Sequence, residues 1–402
     1  MNVNEPGRAP DRVTRDEVTR DAEDVRLRVA HSMACWLPWG GDWIYNQVVL
    51  ADQVEPYVVC DVSANLDQFP VANLYVARRL SLLADRALRR AAVQRHRSIL
   101  ADVVRTHRAH VLHSHFAQTG WQNARFARRA RIPHLVSCYG EDMTRVPTQS
   151  RRWRTRYAEM FDSIDLMLCE GPYMAATVEA LGCSPDKIRT HPLGIDLDHI
   201  PFRPRKPSPD GVVRILMAAA FREKKGLPYA MRALGLLARS GVSFEATLVG
   251  DMRRGDDPGT KREILRTLEE FGIGDRVRLT GVLPYARLLE LAYRHDIFLS
   301  PSVKAANGDA EGGAPVSVIE MAASGMPVVA TKHCDIPFVL AEPNRRLLVE
   351  ERDAQGLADV LQSLLELDWG SLVAANRAHV EQQHDARRQS RELVSLYREL
   401  VP

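Results

Sequence analysis

The sequence predicts an α/β protein built as two doubly wound domains facing a cleft. Three observations carry that reading. The chain has 402 residues, enough for two domains. Short apolar β-type runs alternate with helical stretches from end to end, the order of parallel sheets wrapped by helices. The alternation breaks once, at Pro201–Gly211, where four prolines in nine residues can continue neither a helix nor a central strand.

Residues 1–25 are polar and alternate in charge, so they are expected to be a disordered tail and neither a signal peptide nor an anchor. The first domain, 26–203, holds strand candidates at Leu27–Ala30, Tyr57–Cys60, His110–His113, His134–Ser137 and Asp165–Cys169, with helices near 79–107, 119–131 and 171–182. The strands are poor in polar residues, as strands buried on both faces should be. The second domain, 211–384, resumes with strands at Val213–Met217, Ala246–Val249, Arg276–Leu279, Ile297–Ser300 and Pro327–Ala330. Its helices fit 226–240, 260–272, 284–293, 316–324 and 354–368, and a last helix fits 386–400. Ligands of such sheets bind beyond the carboxyl ends of the strands, so the chemistry is expected in the cleft.

Composition narrows the function. With 45% hydrophobic and 26% charged residues the chain is neither disordered nor fibrous, and a net charge of +3 makes no general case for nucleic acid. The six cysteines have no paired spacing and read as buried thiols of a reducing compartment. No run of about 18 uncharged apolar residues is present, so a cytoplasmic protein is expected. The charge is uneven, however, with 18 basic residues against five acidic ones between Arg78 and Glu159. One face of the first half is expected to meet anions.

Several residues suggest chemistry by type and place. Glu311-Gly312-Gly313-Ala314-Pro315 leads into a helix starting at Val316, where free N–H groups and the helix dipole suit a diphosphate. Glu320, a turn further on, can accept hydrogen bonds from ribose or sugar hydroxyls, and Glu311 can take hydroxyls of a transferred sugar; a dipole partner is the plainer reading of Glu320. Arg222 and Lys225 flank a strand end before Gly226, where cations neutralise a leaving diphosphate without a metal, although a solvated helix start reads similarly, most of all for Lys224. Gly40-Gly41 after the first strand lets backbone approach a ligand or simply turns the chain. His113 and His115, two apart, share a strand face, either as ligand contacts or as a satisfied pair.

Together these motifs resemble the family 4 glycosyltransferases, retaining enzymes of GT-B architecture, nearest to members that build exopolysaccharides of the colanic-acid type. The resemblance rests on Ser300–Pro337 and, in order, on Trp36–Gln47, His113–Ala117, His191–Asp196 and Arg222–Gly226. It implies transfer from a UDP- or GDP-sugar bound mainly by the second domain to a glycan, lipid-linked or small-molecule acceptor held by the first, with neither metal nor other cofactor. It further implies that Lys225 binds phosphate, that Gly281-Val282 contacts the base, and that 385–402 crosses back onto the first domain. A sugar-nucleotide 2-epimerase and a degenerate scaffold without turnover remain as alternatives.

Three departures from the family pattern matter. Glu311 and Glu320 have eight residues between them where the family usually has seven, the doubled Gly312-Gly313 absorbing the extra one. A usual Gly-Arg pair aligns with Ala219-Ala220, leaving Arg222 to replace the arginine. The histidine of a His-Gly-x-Asp motif is Tyr139, which can hydrogen-bond but hardly act as a base near neutrality. Glu141 and Asp142 beside it become candidates for acceptor contact, with structural capping as the alternative.

Residues 78–108 carry nine arginines with leucines between them. Such a helix can lie on an anionic bilayer, so peripheral contact at the inner membrane face is a further expectation, and a solvated helix in an arginine-rich protein accounts for the same residues. Nucleic acid is not expected as a partner, because the stretch has few aromatic residues for stacking.

Overall fold

The computed structural model describes residues 26–37, 41–77, 86–252, 256 and 258–401, with backbone only over 86–92. The expected tail 1–25, Gly40, Arg78 and Arg79 lie outside the described residues.

Among the described residues the first sheet has seven parallel strands in the order β3-β2-β1-β4-β5-β6-β7: β1 (Leu27–Trp36), β2 (Val54–Ser63), β3 (Leu74–Val76), β4 (Val111–His115), β5 (His134–Ser137), β6 (Leu166–Cys169) and β7 (Ile188–Thr190). The second has six, β10-β9-β8-β11-β12-β13: β8 (Val213–Ala218), β9 (Phe244–Val249), β10 (Val277–Gly281), β11 (Ile297–Ser300), β12 (Val328–Thr331) and β13 (Leu348–Val349). In each sheet the order reverses beside the first strand, between β1 and β4 and between β8 and β11, which opens a crevice at the strands' carboxyl ends.

Differences from the sequence expectation have local causes. β1 runs on to Trp36 because His31 and Ser32, polar in type, are buried on the two faces of the strand. The edge strands β3, β7 and β13 are too short for a periodic signal. Helices at Asp42–Val49 and Arg151–Ser163 were not expected, and the helix expected over 354–368 ends at Leu364. A separate helix follows at Trp369–Gln383, where Asp368 accepts the N–H groups of Gly370 and Ser371 and starts a new turn.

The Pro-rich connection is fastened to the second domain by Arg205, whose buried guanidinium donates to the carbonyls of Ala292 at 2.8 Å, Ser324 at 2.9 Å and His295 at 3.2 Å. The last helix, Ala386–Leu400, packs Leu393, Val394 and Tyr397 against Leu27, Val29, Val111 and Leu135 of the first sheet.

The helix Arg86–Thr106 turns its apolar side inward. Leu100 and Val103 are buried against Val59 and Leu112, and Arg97 donates to the Gln122 carbonyl at 2.8 Å. Those apolar groups are therefore occupied by the sheet and do not face a bilayer. No helix among the described residues is long and apolar enough to cross a membrane.

Candidate active site

Arg222, Lys224 and Lys225 stand on the turn that leaves β8. Gly226 closes that turn at φ 63°, and a Cβ there would lie 1.7 Å from the Pro301 carbonyl oxygen, so glycine lets the turn touch the loop after β11. The three cations meet two carboxylates of that loop. Lys225 Nζ lies 2.8 Å from Glu311 Oε1, Lys224 Nζ 3.3 Å from Asp309 Oδ1, and Arg222 Nη2 2.6 Å from Asp309 Oδ2. Lys224 also donates to the Ala310 carbonyl at 3.0 Å, and Ser302 to Glu311 at 3.1 Å. The Glu311 and Asp309 side chains are only 6% and 4% exposed, so the pairing happens out of water and is strong. Burial would raise the Glu311 pKa, but Lys225 and Lys224 outweigh it and hold the group at about 2. Lys225 is lowered by burial, against the pull of Glu311.

The loop leads through Ala314 and Pro315 into the helix Val316–Ser324, as the sequence implies. Ala314 and Val316 pack into the apolar cluster under the helix. Lys225, Ser300, Pro315 and Ser317 line one small cavity between strand ends and helix start, the position at which a helix N-terminus attracts an anion. Glu320 is buried and accepts a hydrogen bond from the Tyr285 hydroxyl at 2.8 Å. Burial raises its pKa to about 8, with the Tyr285 bond opposing and Asp42 of the first domain adding to the rise. Gly281 ends β10 at φ 71° and accepts the Gly250 N–H at 2.9 Å; Val282, 70% exposed, stands on the rim.

On the first-domain side, the Gly41 carbonyl accepts the N–H groups of Ile44 and Tyr45 and starts the helix Asp42–Val49. His113 and His115 share a face, as their spacing requires, and stack at 4.2 Å. His115 is fully buried with both nitrogens engaged, one with Tyr139 Oη at 2.7 Å and one with His31 Nδ1 at 3.1 Å. Its ring is thus held inside the first domain by groups of the protein itself. The Tyr139 hydroxyl is held by His115 and lies 3.5 Å from Gln47 Oε1, inside the domain. Asp142 receives the backbone N–H of Tyr139 on one oxygen and that of Ala117 on the other, each at 2.9 Å, which makes it the brace between two loops. Glu141 alone of these reaches across the cleft, to Arg222 at 3.2 Å.

His31, His113 and His115 form a cluster whose candidate ligand nitrogens lie within 4.8 Å of one another. Every ring nitrogen in it except His31 Nε2 already has a hydrogen-bond partner, so it is a hydrogen-bonded core.

Where the domains meet, glycine faces glycine. A Cβ on Gly312, at φ 83°, would lie 2.2 Å from the Gly140 Cα, and one on Gly140 2.1 Å from the Glu311 carbonyl oxygen. Close by, Asp335 of the second domain accepts the N–H groups of Tyr173 at 2.8 Å and Met174 at 3.3 Å in the first.

Two family descriptions match this chain in sequence, "Glycosyltransferase Family 4" over residues 49–199 and "Glycosyl transferases group 1" over 213–367. A glycosyltransferase assigned to colanic acid biosynthesis in Escherichia coli is 32% identical over 75% of this chain and 74% of its own. The chain belongs to glycosyltransferase family 4. An amylovoran biosynthesis glycosyltransferase of Erwinia amylovora is 34% identical over 59% of this family 4 glycosyltransferase and 58% of its own length. The fold is that of sucrose-phosphate synthase from Thermosynechococcus elongatus, with a TM-score of 0.74 at 17% identity over 93% of this chain and 99% of that one. It is also that of Anabaena Alr3699/HepE in complex with UDP-glucose, with a TM-score of 0.73 at 16% identity over 93% and 100%. The two sheets are thus the two halves of a GT-B hexosyltransferase.

Sequence reasoning missed three residues of this family 4 enzyme. Lys224 is buried and paired, not solvated. Asp309, two residues before Glu311, binds Arg222 and Lys224, and its place in the motif loop was the available signal. Asp335 had no signal, because its partners are backbone groups of another domain.

Proposed function

We propose that this family 4 enzyme transfers a sugar, with retention, from a UDP- or GDP-sugar to a hydroxyl of an exopolysaccharide-type acceptor, with neither metal nor other cofactor. The observation that carries the reading is the convergence of Arg222, Lys224 and Lys225 on the buried loop carboxylates Asp309 and Glu311. A preorganised cationic seat is what a departing diphosphate needs. The relatives named for colanic acid and amylovoran biosynthesis support the acceptor class, and the HepE complex with UDP-glucose supports a sugar-nucleotide donor.

In the step proposed, the bond from the sugar C1 to the phosphate oxygen breaks and its electron pair goes to that oxygen. The acceptor oxygen bonds to C1 on the same face, and its proton passes to the departing phosphate. Arg222 and Lys225 stabilise the charge that builds there, and Glu320 takes ribose hydroxyls. Contact of the outer, basic side of the Arg86–Thr106 helix, where Arg95 and Arg105 are exposed, with an anionic membrane would bring a lipid-linked acceptor to the first domain.

Calorimetric titration with UDP, GDP and ADP tests the reading. Binding of one of them is expected, lost in Lys225→Ala and Glu320→Ala; transfer by Lys225→Ala is expected to fall about 100-fold. Absence of binding by all three, or unchanged turnover in Glu320→Ala, would overturn it.

A further inference from the structure

Glu170 follows β6 directly and stands on the first-domain wall of the cleft. It faces the Gly312–Gly313 turn at close quarters: a Cβ on Gly313 would lie 1.6 Å from Glu170 Oε2 and 2.8 Å from Glu170 Cβ. The side chain therefore lies flat against glycine backbone, and any larger residue at 313 would drive it away.

Its carboxyl differs from the other acids at this junction. Asp142 is occupied by the N–H groups of Tyr139 and Ala117, Asp335 by those of Tyr173 and Met174, and Glu311 by Lys225 and Ser302. No described residue forms a hydrogen bond or an ion pair with Glu170. A half-buried carboxyl that no protein group occupies keeps its hydrogen-bonding capacity for a molecule that enters the cleft.

We propose that Glu170 is a donor-sugar contact, hydrogen-bonding a hydroxyl of the transferred sugar and so helping to set which sugar the enzyme moves. This rests on the reading that the Gly312–Gly313 loop seats the donor. Burial first, and then the neighbouring Asp335, Asp142 and Glu311, push the Glu170 pKa well up, with Lys224 pulling the other way. A shift in that direction favours the neutral acid, which can both donate to and accept from a hydroxyl, whereas a carboxylate can only accept.

The test is titration of the full chain with UDP and UDP-glucose, GDP and GDP-mannose, and ADP and ADP-glucose. The quantity compared is the ratio of the Kd of each sugar nucleotide to that of its bare nucleotide. In Glu170→Ala the ratio for the sugar that binds is expected to rise about 10-fold while the bare nucleotide keeps its affinity. Glu170→Gln, neutral and nearly the same shape, is expected to keep the wild-type ratio, and to keep it as pH rises where the wild type loses it. Should the alanine variant not fold, Glu170→Asp, which withdraws the carboxyl by one methylene, is expected to show the same rise.

An unchanged ratio in the alanine and aspartate variants would overturn the role of Glu170 while leaving the donor reading intact. Failure of the wild type to bind any nucleotide would overturn the donor reading itself, and the inference with it.

Discussion

Asp335 caps a helix that belongs to the other domain. Its carboxylate accepts the Tyr173 N–H at 2.8 Å, at the start of the helix Pro172–Ala180, whose own cap residue, Gly171, has no side chain to offer. Gly171 is also required there, since a Cβ would lie 2.4 Å from the Asp335 carboxyl carbon. Removing the cap should cost about 1 kcal/mol and loosen the closed arrangement together. Asp335→Ala is expected to raise the radius of gyration in small-angle scattering, and an unchanged radius would show that the cap does not hold the domains together.

Gly312→Ala should damage closure more than folding. The new Cβ meets the Gly140 Cα at 2.2 Å, and the residue sits at φ 83°, where alanine is strained by about 1 kcal/mol. The contact it breaks lies between domains, so each domain keeps its core. Transfer is expected to fall at least about 10-fold, with a melting temperature within about 4 °C of wild type.

Lys224→Met tests the buried ion pairs. Removing the cation leaves Asp309 and Glu311 short of positive charge away from water, which should destabilise the protein by about 3 kcal/mol. Adding Asp309→Asn is expected to recover part of that loss in thermal denaturation. Equal melting temperatures for Lys224→Met and wild type would show that Lys224 is not structural.

Glu311 and Glu320 should carry opposite pH dependences of stability. Glu320 has its pKa raised from 4.5 to about 8, so between those values the folded state holds a proton that the unfolded state has lost. Stability then falls as pH rises through that window, by up to about 1.4 kcal/mol per pH unit, and Glu320→Gln is expected to remove the slope. Glu311, lowered from 4.5 to about 2, contributes stability that is complete above 4.5 and drains away as pH falls toward 2. Glu311→Gln is expected to flatten that acid limb. Chemical denaturation across the pH range checks both signs.

The alternation of strands and helices was legible because strands buried on both faces are nearly pure in apolar residues, as in Leu166–Cys169 and Val328–Thr331. Short edge strands such as Leu348–Val349 lack the length for a pattern. The motif from Glu311 to Glu320, a loop and the first turns of a helix, could be located because its glycines, proline and carboxylates fall in a row. Which partner each side chain takes could not, because partners come from distant segments. Tyr139 looks in sequence like a replacement at a sugar site, yet its hydroxyl turns to a histidine on β4 that only the sheet brings near. Asp142 could be read as an acceptor contact or as a cap, and the two backbone N–H groups it accepts come from segments the sequence does not place beside it.

The last helix also bears on the order of synthesis. Leu393, Val394 and Tyr397 close one face of the first sheet, and Tyr397 donates to or accepts from His113 at 2.7 Å within it. The half of the protein made first thus waits, with Val29, Val111 and Leu135 uncovered, until the half made second has left the ribosome. During that interval the first sheet lacks the cover that this face has in the finished protein.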